Sequence, residues 1–66
     1  MLTADGFDSC LIGKDTKDHA IYDADAMIEV LISRDDMSRE DAEEYFWFNI
    51  EGAYLGEETP IYVFLN

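Results

Sequence analysis

The chain contains one cysteine, Cys10, and one histidine, His19, the residue types best suited to nucleophilic and proton-transfer chemistry. A thiol attacks a carbonyl when an imidazole takes its proton and a third group holds that imidazole in place. Cys10 and His19 fall on segments that read as paired strands, yet no motif supplies the third group. A small buried thiol and a strand-edge imidazole are the expectation. Two such residues are also too few for a zinc site, which takes three or four Cys and His ligands at set spacings. Asp23, Asp25 and Met27 open the alternation of a calcium loop, but the sixth position, where a glycine must turn the chain, is Ile28. At most this implies weak, adventitious divalent-ion binding. A general acid–base pair carries no information among sixteen Asp and Glu, because some pair always falls at a workable separation. Gly6, Gly13, Gly52 and Gly56 are scattered and form no phosphate-cradling loop. No catalytic residue, metal or cofactor is expected, and the chain is expected not to be an enzyme.

The elements that would position these side chains follow from local pattern. Cys10 to Ile12, within Phe7 to Gly13, is a short apolar stretch that reads as a strand. His19 to Tyr22 reads as a second, joined to the first by the polar turn Lys14 to Asp18 in a hairpin. Asp23 has the side chain of a helix N-cap, and Tyr22 and Met27 occupy the positions of a hydrophobic staple. Ala24, Met27, Ile28 and Leu31 recur at helical spacing, so the first helix is expected over Ala24 to Arg34. Asp25, Glu29, Ser33 and Asp36 fall on its other side. Asp35-Asp36-Met37 interrupts the pattern. Ser38 caps a second helix, expected from Arg39 to about Ala53, with Asp41 three residues on in an approximate capping box and Gly52 or Gly56 as its stop. Ile61 to Leu65 reads as a buried strand entered at Pro60. The order ββααβ predicts an α+β fold: a small, three-stranded, mainly antiparallel sheet with two helices packed on one face.

Composition limits the partners. Sixty-six residues permit one domain, 1–66, and a small core. The net charge of −12 and a content of four Lys and Arg disfavour direct contact with nucleic acid or an anionic membrane and favour a basic protein surface. Disorder, the ordinary companion of high charge, is opposed by 48% apolar and 14% aromatic residues. The chain has no apolar run long enough to span a bilayer, no signal-peptide pattern and no pair of cysteines to bridge. A cytosolic protein is the expectation, and repulsion between copies favours a monomer.

The surface of the second helix carries the strongest signal. At about 100° per residue, Ala42, Tyr45, Phe46, Asn49 and Ala53 gather on one side, the expected core face. Glu40, Glu43, Glu44 and Glu51 gather on the other, around Trp47, with Tyr54 at the edge. A solvated helix face ordinarily alternates its charges, since like charges one turn apart repel. Here only Arg39 precedes the stripe. Trp47 is a favoured interface anchor, unless the termini or the Lys14 to Asp18 turn cover it. Asp25, Glu29, Asp35 and Asp36 extend the acidic surface. Carboxylates one helical turn apart, about 5.4 Å, approximate a run of phosphates spaced about 3.4 Å along each DNA strand.

The opening Met1-Leu2-Thr3-Ala4-Asp5-Gly6-Phe7-Asp8, with Tyr22-Asp23, Glu29-Val30-Leu31, Arg34-Asp35, Met37-Ser38, Glu40-Asp41-Ala42, Phe48-Asn49, Gly52-Ala53-Tyr54, Gly56 and Thr59-Pro60, resembles a family of very small proteins of phages and mobile elements. The resemblance covers nearly the whole chain and carries no catalytic motif. In size and charge such proteins are similar to anti-CRISPR proteins, with the type I inhibitors, including those of type I-C, the nearest company. The resemblance implies an acidic DNA mimic in the host cytosol that occupies the DNA-recognising subunit of an interference complex and blocks target DNA. Glu40, Glu43, Glu44, Trp47 and Glu51, then Asp25, Glu29, Asp35 and Asp36, would make the contact. The alternative is a phage-encoded adaptor or regulator of another host protein, an anti-restriction factor or transcription modulator, anchored by Trp47 or Tyr54. A third possibility is self-association through the last strand at a sheet edge.

Overall fold

In a computed structural model, described for residues 1–53 and 56–65, the chain forms a three-stranded sheet and two helices, a small α+β fold. Strand β1 is Leu11–Lys14 and β2 is Ala20–Asp23; helix α1 is Ala24–Arg34 and α2 is Arg39–Tyr45; β3 is Ile61–Val63. The sheet order is β1-β2-β3. The order of elements is ββααβ, as expected, with three local differences.

First, Cys10 is not in a strand. Asp8–Cys10 is a 3-10 turn, and β1 begins one residue later. β1 is exposed throughout and pairs antiparallel with β2, Leu11 opposite Tyr22 and Lys14 opposite Ala20, with a bulge between Leu11 and Gly13. A bulge is a common device at a sheet edge. Cys10 and His19 therefore flank opposite ends of a four-residue ladder, about 13 Å apart along the strand direction.

Second, the sheet is mixed rather than mainly antiparallel. β3 runs parallel to β2, with Ile61, Tyr62 and Val63 opposite Ile21, Tyr22 and Asp23. A strand's own residues do not encode its direction; its connection does. Residues 52–60 span up to about 30 Å when extended, enough to carry the chain back before β3 begins. As a three-residue edge strand, β3 is half-buried instead of buried, and Phe64 and Leu65 lie beyond it, exposed.

Third, the second helix changes pitch. After Tyr45 the chain continues as a π-helical segment, Phe46–Glu51, and the Gly52 amide donates to the Trp47 carbonyl across five residues at 3.0 Å. Gly52 suits this turn, because a Cβ there would stand 2.9 Å from the Trp47 carbonyl oxygen and 3.0 Å from that of Phe48. A turn closed by an i→i+5 bond rotates less per residue than an α-helix. The expected core face is corrected accordingly. Ala42 and Phe46 are buried, but Tyr45, Asn49 and Ala53 are exposed, and Ile50 packs against the core instead.

The core lies between one face of the sheet and the helices. Ala20 and Tyr22 point into it, while Ile21 and Asp23 occupy the half-buried opposite face. α1 contributes Ala24, Met27, Ile28 and Leu31, the expected stripe. The Asp23 carboxylate accepts from the Ala26 amide at 3.2 Å and caps α1. Asp36, at φ 56°, reverses the chain in a left-handed conformation that Asp tolerates, which is how the helix ends without glycine. Ser38 Oγ accepts from the Asp41 amide at 3.1 Å and caps α2. The N-terminal segment is pinned by Tyr22, whose hydroxyl accepts from the Ala4 amide at 2.7 Å. Arg34 pins it a second time, donating to the Gly6 carbonyl at 2.7 Å with its guanidinium 5.0 Å from the centre of the Phe7 ring. Among the described residues, no helix is long and apolar enough to cross a membrane.

Candidate functional site

The acidic residues singled out on the helices are all at the surface. Glu29, Asp35, Asp36, Glu40, Glu43, Glu44 and Glu51 are exposed and Asp25 is half-buried. Arg39 joins the two helices' carboxylates. Its Nη1 lies 3.1 Å from Glu29 Oε1 on α1 and its Nε 3.2 Å from Glu43 Oε2 on α2. Glu29 and Glu43 thus belong to one surface, although fourteen positions separate them in the chain. Asp35 is taken up differently. It forms a two-pronged pair with Arg34, at 3.0 and 3.1 Å, and that guanidinium holds its carboxyl below the usual carboxylate range. Among the described residues, Asp25, Asp36, Glu40, Glu44 and Glu51 form no ion pair. Much of the unneutralised charge therefore sits on the two helices and their junction, while Asp5, Asp8 and Glu57 carry carboxylates elsewhere on the surface that are likewise unpaired among the described residues. Lys14 and Lys17 lie at the β1–β2 turn, Lys14 within 3.4 Å of Asp18.

Trp47 is partly covered. One face stacks on Phe64, centroids 5.7 Å apart and planes 27° apart, and its edge meets Phe46. It remains 49% exposed. The covering residue comes from just beyond β3, not from the β1–β2 turn. Behind this pair the aromatic rings continue inward: Phe46 against Tyr62 at 5.6 Å and Tyr62 against Tyr22 at 6.0 Å. Burial raises the Tyr62 phenol's pKa above its ordinary value. Tyr54 lies outside the described residues.

Sequence pattern missed Phe48. It is 76% exposed, more than any other large apolar side chain among the described residues. The signal was present, since Phe48 stands about 200° from Phe46 on a helical wheel and both cannot face the core. Phe48 and Tyr45 line an open groove of about 430 Å³ with Met37, Asp41, Glu44 and Asn49.

His19 belongs to a separate, structural cluster. Its Nδ1 lies 2.9 Å from Asp15 Oδ2, and its Nε2 meets the Glu57 carbonyl oxygen. Both partners are acceptors, so only the doubly protonated imidazole satisfies both. The Asp15 carboxylate, then the Glu57 carbonyl, raise its pKa above the ordinary value. Cys10 is buried and unbridged, with Ser9 Oγ 3.9 Å from its sulfur. The two are not brought together, and among the described residues no three Cys, His, Asp or Glu side chains converge as a metal site would require. Compared with protein-family models, with curated proteins and with solved structures, the chain finds no match.

Proposed function

We propose that this chain is a non-enzymatic inhibitor that presents carboxylates in place of DNA phosphates to a basic DNA-recognition surface. The target suggested by the resemblance is the DNA-recognising subunit of a type I-C interference complex, and occupying it would block target DNA. The observation that carries the reading is the unpaired helical surface: Asp25, Asp36, Glu40, Glu44 and Glu51 have no ion pair among the described residues, and one arginine, Arg39, serves Glu29 and Glu43 together. The dimensions agree with it. The molecule measures 34 × 21 × 19 Å, and one turn of B-DNA is about 34–36 Å long. That turn carries about twenty phosphates, against sixteen carboxylates and a net charge of −12 here.

Competition with target duplex for a purified type I-C interference complex tests the reading. The native chain should displace duplex, and its apparent affinity should fall steeply between about 50 and 200 mM salt. A chain carrying Glu40→Lys, Glu44→Lys and Glu51→Lys should no longer compete. Competition unchanged by these reversals, or none by the native chain, would overturn it.

The half-exposed Trp47 favours a second reading, an adaptor or regulator that binds another host protein through an aromatic anchor. Charge would then only steer the encounter. Under that reading Trp47→Ala removes binding, while salt and the three reversals change it little.

A further inference from the structure

The groove beside α2 sets two acidic side chains next to two aromatic ones along one helix face. Asp41 and Glu44 are three residues apart, as are Tyr45 and Phe48, and Phe48 follows Glu44 by four, so consecutive members are neighbours on the surface. Met37 and Asn49 complete the lining. Neither Asp41 nor Glu44 forms an ion pair among the described residues, and Tyr45 and Phe48 are 41% and 76% exposed. A nearly bare phenylalanine beside two carboxylates suits a ligand with one apolar, stackable face and a cationic edge.

We infer that this groove receives an arginine side chain presented by a basic partner protein. The inference rests on the proposed function for the existence of a basic partner, and it names the contact. A guanidinium is planar, stacks on aromatic faces and donates to carboxylates in a fork, whereas an ammonium is a compact, strongly hydrated charge. The protein already uses this combination internally. Arg34 stacks over Phe7, pairs in two prongs with Asp35 and donates to the Gly6 carbonyl. The groove offers similar partners, a ring, carboxylates and the Asn49 side-chain amide in place of a backbone carbonyl, with no arginine of its own chain paired to its carboxylates among the described residues. Arg34 is held at Asp35 and Arg39 at Glu29 and Glu43. A second copy is a poor occupant, because two molecules of charge −12 would have to approach there.

Titration of the full-length chain with a tetra-arginine peptide and a tetra-lysine peptide, followed residue by residue by NMR, tests this inference apart from any interference complex. Arginine should move the signals of Tyr45, Phe48 and Asn49 first. Lysine should bind about two- to fivefold more weakly, the worth of one exposed cation–π contact. Phe48→Ser should remove that preference while leaving the melting temperature unchanged, since so exposed a ring stabilises little. Equal binding of both peptides, with shifts spread over Asp25, Glu40 and Glu51, would overturn the groove and leave the acidic-surface reading intact. Absence of shifts in the groove would overturn it also. Concentration-dependent shifts there without peptide would assign the groove to self-association instead. Conversely, arginine selectivity without competition for the interference complex would retain the groove and remove the proposed target.

Discussion

Trp47 lies stacked on Phe64, with ring centroids 5.7 Å apart, so that a π-helical residue is roofed by a side chain from beyond the last strand. The contact ties the end of the crossover to its return. Phe64 also meets Phe46 at 6.0 Å, which joins it to the series of rings that begins at the fully buried Tyr22.

Phe64→Ala should therefore unroof the chain's single tryptophan. Its emission should shift to the red and become more accessible to iodide or acrylamide. The loss in stability should be about 1 kcal/mol, because an aromatic pair contributes about 0.5–1.5 kcal/mol beyond its buried area. Unchanged emission would show that the stack does not persist in solution.

His19 makes stability depend on pH. Its folded-state pKa is raised, so its contribution is fully present below the unfolded value of about 6.5 and is lost as pH rises through the folded value. Asp15 acts in the opposite sense. The His19 amide, then the imidazole, lower its pKa, so its contribution holds above about 4 and is lost as pH falls. The pair should be strongest between those limits. A series of melting temperatures from pH 4 to 9 should decline above neutrality in the native chain, and His19→Gln should flatten that decline. An imidazole pKa at or below 6.5, measured by NMR, would contradict the geometry.

The acidic surface should be a burden on stability. Glu40 and Glu44 are like charges one turn apart, a pairing that costs about 0.2–0.5 kcal/mol, and neither has a cationic partner among the described residues. Raising salt from about 10 to 150 mM, which shortens the screening length from about 30 to 8 Å, should raise the melting temperature. The chain with Glu40, Glu44 and Glu51 changed to Lys should melt no lower than the native one. A marked fall would mean that these carboxylates hold the fold together rather than face a partner.

Local chemistry made much of this fold legible in the sequence. The Asp23 cap, the Ala24–Met27–Ile28–Leu31 stripe and the Ser38 cap follow from spacings within one or two turns, and the structure places them as their residues require; the apolar run at Ile61 does start a strand, but one that is shorter and only half-buried. The acidity of the helix surfaces was equally plain, because charge is counted without knowing the fold. Three things lay outside those spacings. The direction of β3 is decided by where the crossover delivers the chain, and its pairing with β2 is parallel. The face presented by residues 46–51 depends on the π-helical pitch, with Ile50 packed against the core and Asn49 outside. The Glu29–Arg39–Glu43 bridge and the Phe64 roof over Trp47 arise only when α1, α2 and the end of β3 meet. Residue types recorded how much charge and aromatic surface the protein carries; packing alone determined which carboxylates are neutralised, which ring is covered and which is left bare.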